Sequence, residues 1–191
     1  ANDWTLTLQR GGNWRGNLTL DMSAVPTING AIVYHAVNNT NVGDGQLYWN
    51  EDFTTAVTMK GAPRKRLTNL TAAASAGATT ITVADATGWR IGDQLALCST
   101  QAYNATPKTD YLTIAGSYTN GSTTVPLSSA LVNDHANDCY VGNFSSNLVV
   151  RPGTLTDTYA AFGMQKQYSS GVYQPKVLSN VRFYGGGQES Y

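Results

Sequence analysis

The chain has 191 residues, enough for one large all-β domain or two small ones. Only 13% of the residues are charged and the formal net charge is zero, which argues against a general nucleic-acid-binding role, because such proteins carry a basic stripe. No apolar run approaches the roughly 18 residues needed to span a bilayer, and the abundance of Gly, Thr, Asn, Ser and Ala indicates a turn-rich β protein.

Strand patterns with period-two alternation recur along the chain, and turn residues bound each of them. In chain order they predict strands at 4–8, 17–20, 31–34, 46–49, 54–59, 79–83, 94–97, 110–115, 122–127, 146–150 and 177–184. The segment 67–76 contains three consecutive alanines but has a poor apolar period, and we interpret it as a link between strands. Because no segment keeps a helical period over about twelve residues, the sequence predicts an all-β fold.

Two kinds of turn occur in this pattern. Asn120–Gly121 is a hairpin signal and predicts local antiparallel pairing. The apolar strand and Gly-rich corner at 177–187 are typical of a parallel β-helix instead. The sequence therefore predicts short β-helix-like rungs over 1–60, an inserted small antiparallel β barrel or sandwich over 61–153, and a loop with the first rung of a continuing β-helix over 154–191.

The segment 77–100 contains a turn between two of the predicted strands. Gly88 permits a tight turn that places Trp89 over the end of a core, and Gly92 allows a positive φ at no steric cost. Asp93 can accept hydrogen bonds from nearby backbone amides. We interpret these four residues as a structural corner of the small barrel, with a binding role for Trp89 as the alternative.

The same region resembles the part of G8-containing extracellular proteins that follows the G8 domain, in the hyaluronidase-like and fibrocystin-like families. The resemblance covers roughly residues 57–188. It rests on Gly61, the basic turn 64–66, the segments 68–70 and 77–83, Trp89, Gly92–Asp93, Ser99–Thr100, His135 and the rung 177–188. It implies a small β sub-domain that leads into a right-handed β-helix. In the hyaluronidase-like members the activity is attributed to the long β-helix, and no catalytic residue carries over to this chain.

The usual catalytic motifs for hydrolases, nucleotide binding and zinc proteases are absent from the sequence. His135 lies in the Asp- and Asn-rich segment 133–138, which fits either a metal site or, as we favour, a surface loop. His35 lies at the end of a predicted strand. The carboxylate pairs Glu51 with Asp52 and Asp134 with Asp138 are interpreted as turn residues. We therefore predict no catalytic residue, metal or cofactor within this chain.

The two cysteines, Cys98 and Cys139, have two interpretations. They are either small buried thiols or a disulfide formed in an oxidising compartment, and spacing alone does not decide between them. The basic turn 64–66 is interpreted as solvated rather than as a phosphate site.

Composition supports two hypotheses about function. The first is a structural or adhesive module of a virion-surface or extracellular fibre, of the phage tail or appendage type, which assembles with itself or with other fibre subunits. The second is a front-end module of a secreted protein that binds or degrades polysaccharide; eleven tyrosines and four tryptophans on a low-charge β scaffold would suit sugar stacking, although they also suit packing between strands. A surface polysaccharide is thus an expected partner, and a membrane span is not. Because the chain starts without Met and ends just after three glycines, we expect a processed protein or a segment of a longer one.

Overall fold

The structure, a computed structural model, describes residues 3–9, 18–35, 45–49, 56–99, 108–153, 160–164 and 176–183. All regular elements in these ranges are β-strands, which confirms the predicted all-β class. The fifteen strands are β1 Trp4–Gln9, β2 Leu18–Asp21, β3 Gly30–His35, β4 Gly45–Trp49, β5 Val57–Lys60, β6 Leu67–Asn69, β7 Thr80–Thr82, β8 Gln94–Leu97, β9 Asp110–Thr113, β10 Thr124–Pro126, β11 Tyr140–Asn143, β12 Leu148–Pro152, β13 Ala160–Met164, β14 Lys176–Ser179 and β15 Val181–Phe183. No helix in the described ranges is long and apolar enough to cross a lipid bilayer.

The chain divides into two compact units. The solenoid unit comprises Ala1–Ala62 and Ser146–Tyr191, and the barrel unit comprises Pro63–Ser145. From the sequence the inserted sub-domain was expected to extend to residue 153. In the structure, however, β12 pairs in parallel with β3 and β15 and lies in the solenoid unit.

The solenoid unit is built of parallel sheets in which each strand pairs with its counterpart from the next coil. One sheet has the order β1-β3-β12-β15, a second β13-β4, and a third β14-β5-β2. The chain passes from the first sheet to the second and third, and then returns to the first, as in β3-β4-β5 and β12-β13-β14-β15. This order is a β-solenoid, in agreement with the predicted β-helix-like rungs.

Because the parallel strands pair in register, side chains of similar type lie above one another from coil to coil and contribute to the solenoid core. Leu20, Met59 and Leu178 are aligned across the third sheet, and Ile32 is aligned with Val150 in the first. The buried cluster of this unit consists of Leu18, Met22, Ile32, Val57, Met59, Leu148 and Val150.

One corner of the solenoid is where the barrel unit is inserted. The Gly61 N–H donates to the Ser179 carbonyl of the next coil (2.8 Å), and a Cβ at Gly61 would lie 2.2 Å from the Asn180 carbonyl oxygen. Glycine is thus required by this close approach of two backbones. The sequence predicted one strand over 177–184, but Asn180, with φ of 53°, turns the chain between β14 and β15.

The Asn147 side chain makes hydrogen bonds to Ala62, where the insertion begins, and to the turn after β2. This side chain is fully buried, and its Oδ1 accepts a hydrogen bond from the Ala62 N–H at 2.7 Å. Its Nδ2 donates to the carbonyl oxygens of Met22, Val25 and Ile28 at 3.2–3.3 Å. The Asn147 side chain, at one end of the insertion, therefore bonds to the backbone of Ala62 at the other end and to the coil that contains Met22, Val25 and Ile28.

The barrel unit is antiparallel. Four strands form a sheet of order β6-β11-β8-β9, and β10 pairs with β7. Isolated bridges between Leu70 and Val83 and between Ile114 and Leu127 join the two sheets at both edges, so the strands close on themselves. Closure leaves few free strand edges. The core includes Trp89, Leu95, Leu97, Val125 and Val141 among sixteen buried residues.

Three of the strands in the structure were not predicted from the sequence. The segment 67–76 was interpreted as a link, but its first part is β6 and Leu70 bridges to Val83. Neither β11 nor β13 was predicted. Both contain glycine in mid-strand, which weakens the alternation on which the prediction depends.

Candidate functional site

The four residues of the predicted corner lie together beside the barrel core. Gly88 has φ of 76°, and a Cβ there would lie 2.3 Å from the Pro63 carbonyl oxygen. Trp89 is completely buried and its Nε1–H donates to the Lys65 carbonyl at 2.7 Å. Gly92 has φ of 81°, which suits glycine. Since Trp89 is inaccessible, it offers no ring to a ligand.

Asp93 is the charged centre of this corner. It is buried, pairs with Arg64, and accepts hydrogen bonds from the Arg90 N–H (3.1 Å) and from Asn143 Nδ2 (2.8 Å). Burial, together with the nearby charges of Arg90 and Arg66, lowers the pKa of Arg64 to about 10, so the guanidinium stays charged at neutral pH. The basic turn 64–66 was expected to be solvated. That prediction is wrong for Arg64, because the turn folds back onto Asp93.

A second polar cluster surrounds His135, which was expected in a surface loop. The structure buries this side chain to 1% exposure, while the neighbouring Asp134 and Asp138 are exposed. His135 Nε2 lies 3.0 Å from Asp110 Oδ2, and Nδ1 lies 3.1 Å from the Cys98 carbonyl oxygen. The surface-loop interpretation is wrong for the histidine because its N–H and C=O bridge to Ala74 and draw it inward.

A thiol, an imidazole and a carboxylate lie side by side in this cluster, from Cys139, His135 and Asp110 respectively. Cys139 Sγ lies 3.7 Å from His135 Nδ1. However, all three side chains are buried, and burial, with Cys98 nearby, raises the pKa of the Cys139 thiol to about 11. A nucleophilic cysteine needs a lowered pKa and access to substrate. This cluster is therefore a structural network in the observed conformation.

The two cysteines are free thiols in the structure, Cys98 exposed and Cys139 buried. The Cys98 N–H donates to the Tyr140 carbonyl at 2.9 Å, so Cys98 lies opposite Tyr140 and diagonal to Cys139. Adjacent residues of a strand point to opposite faces, which places the two thiols on opposite sides of the sheet. This arrangement does not suit a disulfide, which needs the two Cβ atoms to face each other.

No group of three or more His, Cys, Asp or Glu side chains arranged to hold a metal ion occurs in the part of the chain that the structure describes. The pair Glu51 and Asp52 lies outside the described residues. Asp134 accepts a hydrogen bond from the Ala76 N–H, and Asp138 accepts one from Asn69 Nδ2. His35 ends β3, and its side chain lies outside the described parts.

The outward side of the four-stranded sheet is the most distinctive surface of the barrel unit. Residues directly opposite each other across strands share a face, and the register aligns Leu67, Gly142, Ala96 and Tyr111 in one row across all four strands. Tyr140 precedes this row on β11 by two residues, and Phe144 follows it by two. We call this surface the outer face; it comprises Leu67, Asn69, Gln94, Ala96, Cys98, Tyr111, Thr113, Tyr140, Gly142 and Phe144.

Large apolar side chains on the outer face are exposed to solvent. The exposed fraction is 77% for Tyr111, 60% for Tyr140, 56% for Leu67 and 50% for Phe144. Small residues lie between them, and the Phe144 ring lies over Gly142, where an added Cβ would contact Cζ at 3.4 Å. The ring is thus held against the sheet rather than projecting from it.

Strand geometry gives the dimensions of this platform. Tyr111 and Tyr140 lie two strands and two residues apart, which separates their Cα atoms by about 12 Å. Phe144 lies a similar distance from Tyr111 on the other side of the row. The ten residues of the outer face include no charged side chain, and Asn69, Gln94 and Thr113 supply amide and hydroxyl groups.

No protein-family model and no curated protein matches the sequence. Nothing in the comparisons supports the expected relation to G8-associated extracellular proteins.

Among solved structures, the chain is similar to three phage tailspikes. The Gp54 tailspike of Acinetobacter baumannii bacteriophage AP22, solved in complex with A. baumannii capsular saccharide, is 12% identical with a TM-score of 0.36, over 95% of this chain and 29% of that one. The tailspike gp61 of Pseudomonas phage phi297 is 11% identical with a TM-score of 0.41, over 95% and 27%. The tailspike gp49 of Pseudomonas phage LKA1 is 13% identical with a TM-score of 0.36, over 79% and 23%. The chain thus spans less than a third of the length of each.

Proposed function

We propose that this chain is a structural and adhesive module of a virion-surface or extracellular fibre, of the phage tail or appendage type, and that the outer face of its barrel unit binds a surface polysaccharide. The observation that carries the proposal is the exposure of Tyr111, Tyr140, Phe144 and Leu67 on one sheet face. Contiguous exposed apolar side chains rimmed by polar groups mark interaction sites on soluble proteins.

The chemistry of the outer face suits sugars. A pyranose ring has an apolar C–H side that packs on an aromatic ring, and hydroxyl groups at its rim that need hydrogen-bond partners. Tyr111, Tyr140 and Phe144 supply the rings, while Asn69 and Gln94 supply amides at the margins. Since the face carries no charged side chain, we expect a neutral stretch of polysaccharide to bind there.

The solenoid unit suits a fibre. Parallel in-register pairing repeats the same backbone contacts from coil to coil, and each coil depends mainly on its neighbours. The barrel enters and leaves at a single corner, between β5 and β12, so the insertion leaves the stacking of the coils intact. We further propose that the parent protein assembles with copies of itself or with other fibre subunits.

The second hypothesis, a module of a polysaccharide-degrading protein, finds less support in the described residues. Glycoside cleavage usually needs two carboxyl groups that flank the sugar. Asp93 and Asp110, the two buried carboxylates of the described parts, are each occupied by internal partners. Neither of these two buried carboxylates of the described residues is therefore available to flank a sugar.

The proposal is tested by affinity electrophoresis of the chain in gels that contain purified bacterial capsular polysaccharides. We expect retardation by at least one polysaccharide, and two- to tenfold weaker binding for Y111A and for Y140A, since an aromatic contact contributes about 0.5–1.5 kcal/mol. Y111F should retain binding if stacking rather than the hydroxyl matters. I91A, which removes an exposed apolar side chain in a turn that is not part of the outer face as defined above, is the matched control.

Two results would contradict the proposal. Binding that survives in a Y111A/Y140A/F144A variant would place the polysaccharide elsewhere. A change of oligomeric state in the same variant, measured by light scattering, without any polysaccharide binding by the parent chain, would make the outer face a contact between subunits instead.

A further inference from the structure

His135 is buried with an oxygen atom at each of its ring nitrogens. Nδ1 faces the Cys98 carbonyl at 3.1 Å and Nε2 faces the Asp110 carboxylate at 3.0 Å. A neutral imidazole carries a proton on only one nitrogen, whereas an imidazolium donates from both. Both contacts are therefore satisfied together only by the protonated ring.

Asp110 is arranged to remain a carboxylate. Its Oδ2 accepts from the Val132 and Asn133 N–H groups at 3.1 Å each, and its Oδ1 accepts from Asn133 Nδ2 at 2.8 Å. Burial alone would raise the pKa of Asp110, but the hydrogen bonds from His135, Asn133 and Val132 outweigh burial, and the pKa is lowered. Each of these backbone and side-chain partners donates to the carboxylate, which fits the charged form.

Among the described residues, Asp110 is the only charged group that bonds to the His135 ring. On β11 the Cys139 thiol donates to the same Cys98 carbonyl at 3.1 Å, and its raised pKa keeps it neutral. On the opposite side Ala74 contributes only its backbone N–H and C=O. The adjacent Asp134 is exposed and accepts from the Ala76 N–H.

We propose that His135 and Asp110 form a buried ion pair that acts as a pH-sensitive latch on one end of the barrel unit. The latch joins the end of β8 through the Cys98 carbonyl, the start of β9 through Asp110, and the segment 131–139. Tyr111 follows Asp110 and Tyr140 follows Cys139, so two rings of the outer face stand on the strands that the latch fixes.

The direction of the pH response follows from which group loses its charge. In a neutral ring, one of the two short contacts brings together two acceptors, and the latch opens. The latch is therefore closed while the His135 ring carries both protons and open when it carries one. Only far below neutrality, when Asp110 takes up a proton, does acid weaken it.

The protons on the ring can be observed directly by ¹⁵N NMR. The chain contains only two histidines, so an H35Q variant leaves His135 as the single imidazole; in the parent chain, contacts with Cys139 assign it. We expect an N–H proton on both ring nitrogens on the acidic side, and loss of one of them as the pH rises. A ring with a single proton at every pH from about 5 to 9 would overturn the proposal.

Amide hydrogen exchange tests whether the protonation controls the latch. After correction for intrinsic rates, protection of the Val132 and Asn133 amides should fall about tenfold or more as His135 loses its proton. D110N should abolish this pH dependence, while D134N, which changes an exposed acid next to the histidine, should leave it unchanged. Protection that does not vary with pH while the ring titrates would also overturn the proposal.

Discussion

Asn147 should be among the most important single side chains for the stability of the solenoid unit, and Asn147→Ala tests this. The variant removes an acceptor at 2.7 Å from the Ala62 N–H and a donor shared among the carbonyl groups of Met22, Val25 and Ile28. Ala62 is 1% exposed, so water does not readily replace the lost acceptor.

The expected loss of stability depends on which backbone groups keep another hydrogen-bond partner when Asn147 is replaced by alanine. The Met22 and Val25 carbonyls still accept hydrogen bonds from the Val25 and Ile28 N–H groups. Losing the bond from Asn147 therefore costs these two carbonyls little. The Ala62 N–H is left buried without a partner, which costs about 1–3 kcal/mol. Together with the weakened contact at Ile28 we expect a loss of about 2–4 kcal/mol, a large part of the 5–15 kcal/mol typical of a folded domain.

The assay is chemical denaturation combined with amide exchange of β3 and β12. Asn69→Ala is the matched control, because it deletes the same side chain from a half-buried position where Nδ2 has only weak partners at 3.2–3.3 Å. The control should lose about 0.5 kcal/mol or less. If Asn147→Ala were as stable as this control, the corner would not depend on the asparagine and our account of the insertion would be wrong.

Three further predictions concern the barrel unit. Gly88→Ala should lose more stability in thermal denaturation than Gly77→Ala: both glycines have positive φ, but only at Gly88 does an added Cβ meet a backbone oxygen, at 2.3 Å. Because the pKa of Asp110 is lowered on folding, the stability it contributes should be fully present above its ordinary value of 3.8 and lost as pH falls through the folded value; acid denaturation of D110N should lack this component. Intact mass should not change when the purified chain is reduced, because Cys98 and Cys139 lie on opposite faces; a gain of two daltons would contradict the structure.

Most strands could be predicted from the sequence because their side chains alternate. The structure places strands at 4–8, 31–34 and 94–97, where the sequence alternates. Burial follows the alternation at 4–7, whereas consecutive residues are buried at 32–33 and at 95–97. In β11 the positions on the outer face are Tyr140 and Gly142, one large and one absent side chain, so the period is hidden. The corner at Asn180 was missed since an asparagine in the left-handed region has no pattern that distinguishes it from a polar strand residue.

The candidate site was harder to predict than the fold. Tyr111 and Tyr140 are 29 positions apart in the sequence, and only the β11-β8-β9 pairing brings them onto one face. His135 was expected at the surface because its neighbours are polar. Its burial depends on Asp110, which lies 25 positions away and offers the charge that a buried histidine needs. A single sequence contains no local signal for such a pairing.

The most direct test of the central claim is to map where a bound polysaccharide touches the chain. We would record backbone amide chemical shifts while adding fragments of a capsular polysaccharide that the chain binds. The account predicts that the largest shifts cluster on the outer face, at Tyr111, Tyr140, Gly142 and Phe144. Saturating shifts confined to the solenoid unit would show that the barrel is not the adhesive surface and would contradict the account.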